Sequence, residues 1–222
     1  MIIQKKAKLA NLKYIKEIML DFPLYIISHP FKGFDEVKSL KRGNIYYSIS
    51  ILIIFGLVAV FRQLNTGFVV SNFFTDTPHI NIFEVLLFTY SPILLFCIGN
   101  WSITSITDGK GTMKEIFLIY TYALYPLIFM MFIGTVASNF ITLNEIAFVN
   151  FFFAFGQILF FFYLFVGLVM IHEYSFTRAL SMVVLTILAM MIIIFVLSLA
   201  TSLVSELISF FFTVSYELEA HF

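Results

Sequence analysis

Charge is scarce in this chain: Asp, Glu, Lys and Arg together make up 12 % of its residues, against about 25 % in an ordinary soluble domain. With a hydrophobic fraction of 61 % and a mean hydropathy of +1.00, that shortage excludes a water-soluble globule. Cysteine is scarcer still. Cys97 stands alone, so no disulfide within the chain and no thiolate metal cluster can form, and its apolar neighbours make it a packing residue. Also missing is an apolar core and small-residue cleavage site behind Lys5, Lys6 and Lys8, so no removable signal peptide is expected.

What is present is long apolar runs. A helix needs about 18–20 such residues to cross a hydrocarbon layer of roughly 30 Å, and every backbone polar group must be satisfied within it. Five runs qualify: Asn44 to Phe61, Ile82 to Trp101, Ile116 to Ala137, Ile146 to Ile171, and Ala179 to about Val204. The fold class expected is therefore all-α, a polytopic transmembrane bundle of five spans.

Thirteen basic and thirteen acidic residues cancel, but their placement is lopsided. Nine of the Lys and Arg residues precede Gly43, where Glu17, Asp21, Asp35 and Glu36 leave a formal +5. Lys110 and Lys114 fall in the second connection and Arg178 in the fourth, so a cytoplasmic N-terminus puts twelve of the thirteen inside, with only Arg62 outside. The expected topology is N-terminus inside and C-terminus outside.

Three segments follow. Residues 1–43 form a basic, amphipathic cytoplasmic segment, with Leu12, Ile15, Met19 and Phe22 on one side of a helix lying on the inner surface. Lys5, Lys6, Lys8, Lys13, Lys16, Lys38, Lys41 and Arg42 are its membrane-surface basic set, each lysine near anionic lipid gaining about 1 kcal/mol. Residues 44–204 form the five-helix domain. Residues 205–222 carry Glu206, Glu217 and Glu219 among apolar residues at helical spacing, which suits an amphipathic extension of the fifth helix bending onto the outer surface.

Ionised side chains deep in a membrane cost several kcal/mol unless paired or hydrated. None is found at the centre of a span, which leaves no evident proton relay or voltage sensor. Glu84, Glu115 and Glu145 fall near span N-termini, where capping explains them. Asn150, Gln157, Ser48 and Ser50 are explained by interhelical hydrogen bonds. Pro92 and Pro126 each remove a backbone donor and are expected to kink the second and third spans, opening a cavity with Asn100, Tyr122 and Gln157 as lining. Gly56, Gly156 and Gly167 permit close helix approach, and the many phenylalanines of the fourth span are apolar bulk.

The run Thr107-Asp108-Gly109-Lys110-Gly111-Thr112 lacks the spacing of a phosphate-binding loop and follows a membrane helix rather than a strand; its glycines are expected to let a short loop turn sharply. His172 and Glu173 would need two further ligands to hold a metal. No cofactor, no metal and no catalytic residue is expected.

Two stretches taken together are familiar. His29-Pro30-Phe31-Lys32-Gly33-Phe34 leads through basic residues into the first span, and Asn100-Trp101 is followed by Asp108-Gly109-Lys110-Gly111-Thr112, Phe117 and Tyr122-Ala123-Leu124-Tyr125-Pro126. From His29 to Thr201, including His172-Glu173 and Arg178-Ala179-Leu180, the chain resembles the Yip-domain family of five-span membrane proteins, and in particular its bacterial branch. The resemblance implies a five-helix membrane domain with a cytoplasmic N-terminus, and a signature over Asn100 to Thr112 with Pro126. Eukaryotic members act with Rab-type GTPases in vesicle trafficking; bacterial members include relatives of proteins associated with sugar-uptake ABC systems. A long hydrophilic N-terminal region, typical of the eukaryotic members, is not found here.

The function expected is that of a non-enzymatic scaffold or accessory subunit in a bacterial plasma membrane. Its expected partners are the lipid bilayer and another integral membrane protein, an ABC permease among them, and no nucleic acid. The rival expectation is a small transporter or lipid-handling protein with a cavity at Pro92 and Pro126.

Overall fold

A computed structural model describes residues 16–68, 70 and 81–220. Lys5, Lys6, Lys8, Lys13, Leu12, Ile15 and His79, singled out above or isolated in the chain, lie outside the described residues. After a π-helical turn, Glu17–Asp21, come two short helices, α1 (Phe22–Ser28) and α2 (Pro30–Ser39). Five long ones follow: α3 (Ile45–Asn65), α4 (Ile82–Ile106), α5 (Met113–Ala137), α6 (Ile146–His172) and α7 (Phe176–Ala220). All five are long and apolar enough to span a membrane, and the chain is an all-α, five-span transmembrane bundle.

The helix starts are written locally. Asn44 caps α3 by accepting from the backbone N–H groups of Tyr46 and Tyr47, and Asn81 caps α4 through Phe83 and Glu84. Thr112 with Glu115, and Thr142 with Glu145, form capping boxes before α5 and α6, satisfying N–H groups that a first turn leaves orphaned. Glu84 lies in the first turn of α4, so all three acids sit where the helix dipole favours them.

The ends run further than the apolar runs predict. α3 continues past Phe61 to Asn65 and α4 past Trp101 to Ile106, because the polar residues there stay helical by bonding backward. Ser102, Thr104 and Ser105 hydroxyls donate to the carbonyls of Ile98, Asn100 and Trp101 at 2.7–2.8 Å. Helix α7 starts at Phe176 and continues unbroken through Val204 to Ala220, 45 residues in all. α4 and α5 run through Pro92 and Pro126.

α5 is the hub. Two-thirds (67 %) of its most apolar window is buried, against 6 % for that of α7. It packs chiefly on α6 and α3, while α7 packs on α4. Close approach is set by glycines: a Cβ on Gly56 would stand 2.1 Å from the Tyr90 hydroxyl, and one on Gly156 2.7 Å from Met130 Cβ. The interhelical hydrogen bond expected of Ser48 is present, its hydroxyl 2.7 Å from that of Thr121, whereas Ser50 bonds back to Tyr46 in its own helix.

The apolar side of α1 and α2 faces protein. Ile26, Phe34 and Val37 are buried, Phe22 meets Tyr122 edge-on at 5.7 Å, and the Tyr163 hydroxyl on α6 donates to the Ile27 carbonyl at 2.7 Å. These helices thus clamp one end of α5 and α6, hereafter the basic end.

Candidate functional site

The family-like signature residues converge at the basic end, around the last residue of α6. The backbone N–H of Gly111 donates to His172 Nδ1 at 3.1 Å, which places the ring proton on Nε2, 3.3 Å from Asn100 Oδ1. Asn100 Nδ2 donates to Thr186 Oγ1 at 3.0 Å, and the Thr186 hydroxyl donates to the Met182 carbonyl at 2.8 Å. Asn100, His172 and Thr186 are all essentially buried. One continuous polar relay therefore ties the α4–α5 loop, α6, α4 and α7 together, each member satisfied by the next.

Beside it stands an ionic clasp. Glu173 closes α6 in a left-handed conformation, φ 56°, and this turn aims its carboxylate at Lys38 of α2, 2.7 Å away, and at Lys110 of the loop. Lys38 also donates to the Ile171 carbonyl at 2.6 Å, one of the last-turn acceptors of α6. Hydrogen bonds from Lys110 and Lys38 hold the Glu173 carboxyl well below the usual carboxylate range, at about 2. Arg178 completes the junction, donating to the Thr107 carbonyl at 2.6 Å and lying 4.8 Å over the Tyr174 ring, which itself stacks on His172.

The two loop glycines act differently from the turn role expected of them. Neither has a positive φ; Asp108 takes that conformation, at 56°. The glycines instead provide room. A Cβ on Gly109 would meet Thr104 Cβ and the Tyr174 hydroxyl at 2.6 Å, and one on Gly111 would meet His172 Cε1 at 2.6 Å. Of the remaining signature residues, Thr112 caps α5, Trp101 is exposed, and Pro126 is buried in α5 without joining the clasp. Lys38, Lys110 and Arg42 are engaged in ion pairs within the chain, Arg42 with Glu36 and Glu17, while Lys16 and Lys41 are exposed. Thr186 and Tyr174 carried no signal in the sequence, since a threonine in a long apolar helix reads as filler. Among the described residues no three His, Cys, Asp or Glu are placed to hold a metal.

The opposite end holds a cleft of about 790 Å³. α5 is its floor, with Tyr120 and Leu124; Arg62 of α3 and Glu84 and Pro92 of α4 form one wall, and Asn150, Phe153 and Gln157 of α6 the other. The expected cavity is corrected in its lining. Pro92 and Gln157 do line it; Pro126, Asn100 and Tyr122 do not. Tyr122 sits two residues from Tyr120 and so points to the opposite side of α5, where it stacks on Tyr47 at 4.7 Å. Asn150 and Gln157, expected to bond between helices, have no hydrogen-bond partner among the described residues and are open to the cleft.

No curated protein and no solved structure shows a significant match to the chain. The Yip1 domain model matches residues 24–205, a stretch that takes in α2 through α6 and two-thirds of α7, all three members of the ionic clasp, Glu173, Lys38 and Lys110, and the whole relay around His172. With that match over most of its length, the chain belongs to the Yip1 domain family of membrane proteins.

Proposed function

We propose that the chain is a non-enzymatic scaffold or accessory subunit that holds another integral membrane protein against α7. The single observation that carries this reading is the state of that helix. Its 45 residues reach about 67 Å at 1.5 Å per residue, whereas a bilayer with its headgroups is about 40–45 Å thick. From Met191 to Tyr216 every residue is exposed except Ile193 and Val214. Apolar surface that outruns the bilayer is covered by protein at least cost, and contiguous exposed apolar patches mark such interfaces. The clasp supports the same reading, because it fixes the start of α7 rigidly to α2, α4 and α6 and so gives the projecting part a firm base.

The proposed setting is a bacterial plasma membrane with the N-terminus inside and the C-terminus outside, supported by the gathering of Lys38, Arg42, Lys110 and Arg178 at one end. A permease of a sugar-uptake ABC system is the first partner to test.

The experiment is site-specific photo-crosslinking in native membranes, followed by purification in mild detergent and mass spectrometry. A crosslinker at Phe211, exposed and past the length the bilayer covers, should capture one membrane protein in fixed stoichiometry, while one at Leu57 of α3 should capture none. Equal, diffuse labelling from both positions, with a solitary protein after purification, would overturn the scaffold reading.

A further inference from the structure

We propose that the cleft at the far end binds one zwitterionic phospholipid, taking its headgroup inside the protein and leaving its chains in the bilayer. The inference is separate from the scaffold reading, which rests on α7. Arg62 in the last turn of α3 and Glu84 in the first turn of α4 both line the cleft. Among the described residues neither has an ion-pair partner, and they do not pair with each other. The guanidinium instead lies 4.3 Å over the Phe153 ring. Opposite charges that share a cleft without meeting are complementary to a ligand that carries both charges, with a phosphate for Arg62 and an ammonium for Glu84. Arginine is suited to the former because its fork of donors matches phosphate oxygens.

Depth and chemistry below the mouth fit the rest of a lipid head. From Asn150 to Phe160 the cleft wall runs ten residues along α6, about 15 Å, which is one leaflet of a hydrocarbon layer of about 30 Å. The amides of Asn150 and Gln157 have no partners there and offer donors to ester oxygens. Below them the wall is Pro92, Phe160 and Leu124. The cleft volume, about 790 Å³, is within the range of about 300–1,000 Å³ typical of small-ligand sites. That suits a head and the upper chain segments. The chains have an exit, because α4 and α6 scarcely touch and the far part of α7 is exposed rather than packed over the gap between them.

The test is native mass spectrometry of the full chain in detergent with equimolar phosphatidylethanolamine and phosphatidylglycerol, alongside free glycerophosphoethanolamine as the chainless head. The wild type should retain one phosphatidylethanolamine in preference to phosphatidylglycerol. R62Q should lower that retention about tenfold, the scale of one charge-assisted bond, E84Q should reverse the preference toward phosphatidylglycerol, and R42Q at the basic end should change nothing. Circular dichroism melts confirm that each variant is folded, and N150L/Q157L supplies a second route to the same loss without touching a charge. Unchanged retention in both R62Q and N150L/Q157L overturns the proposal, since Arg62 then merely reaches for the interface. Binding of the chainless head as tightly as the lipid overturns it also, and assigns the cleft to a soluble phosphoester.

Discussion

Replacing Asn100 with Leu probes the relay at its middle, because the two side chains have similar volume and the change removes hydrogen bonds rather than bulk. Two bonds go: the one accepted from His172 Nε2 at 3.3 Å and the one donated to Thr186 Oγ1 at 3.0 Å. Their losses are unequal. His172 Nε2–H is left buried with no acceptor, which costs about 1–3 kcal/mol. Thr186 keeps its bond to the Met182 carbonyl at 2.8 Å, so its share is the ordinary interhelical value of about 0.6 kcal/mol. The expected total is about 2–3 kcal/mol, and Thr186→Val alone, which leaves the buried Asn100 Nδ2–H without its acceptor, should cost about 1–3 kcal/mol. Equilibrium unfolding in mixed micelles measures both, and the double variant, in which no orphaned Asn100 amide remains, closes a thermodynamic cycle whose coupling should be about 1–3 kcal/mol. Trypsin offers a second readout: the loop loses its anchor through His172, so cleavage after Lys110 and Lys114 should accelerate. An Asn100→Leu variant as stable as the wild type, or a cycle additive within about 0.3 kcal/mol, would refute the idea that the relay holds the four elements together.

Glu173→Gln removes the charge that Lys38 and Lys110 share. Since the folded carboxyl is held at about 2, below the ordinary Glu value of about 4.3, its stabilisation is present in full above that ordinary value and is lost as pH falls through the folded one; an acid titration of stability from pH 6 to pH 2 should show this fall in the wild type and a shallower one in E173Q, and salt should narrow the gap. Gly111→Ala places a methyl 2.6 Å from His172 Cε1, an overpacking of about 1–3 kcal/mol that should appear as a lower melting temperature with the helix content unchanged by circular dichroism. Gly56→Ala drives the Tyr90 hydroxyl, 2.1 Å from the added carbon, off the Leu52 carbonyl it bonds at 2.9 Å, and tyrosine fluorescence together with a lower melting temperature would report it. Cys97, buried to 1 % exposure, should resist maleimide in the folded protein and react after denaturation.

The spans were legible because membrane burial demands uniform apolarity, which composition records without knowledge of neighbours. The capping acids were equally local: Thr112 with Glu115 needs only four consecutive residues. Legibility stopped where a residue's role depends on another helix. Gly109 and Gly111 resemble turn residues in sequence, and only the approach of His172, more than sixty residues away, shows that they are there for space. Asn150 and Gln157 were recognised as deep polar groups, yet whether such amides meet a helix or a cleft is decided by how far α4 stands from α6, which neither helix encodes alone. Tyr120 and Tyr122 illustrate the same limit, since periodicity puts them on opposite faces without saying which face is the wall of a cavity. The continuation of α7 beyond Val204 was legible, but a bend there was expected because Glu206, Glu217 and Glu219 read as a change of environment, whereas the helix runs unbroken to Ala220 and tolerates them along its course.

The bond from Lys38 to the Ile171 carbonyl spans 133 residues of chain, and this separation has a consequence for synthesis. The chain emerges from its N-terminus at about 5–20 residues per second, so α1 and α2 exist for roughly 7–27 s before the surface of α6 that receives them has been made. For most of that interval, until α5 brings Tyr122 to Phe22, their apolar side has no protein to meet. The interfacial character of the N-terminal segment, with lysines on one side and Phe22, Ile26 and Phe34 on the other, then describes a waiting state: the segment rests on the lipid surface while the bundle assembles, and exchanges that berth for α5 and α6 once the fourth span is in place.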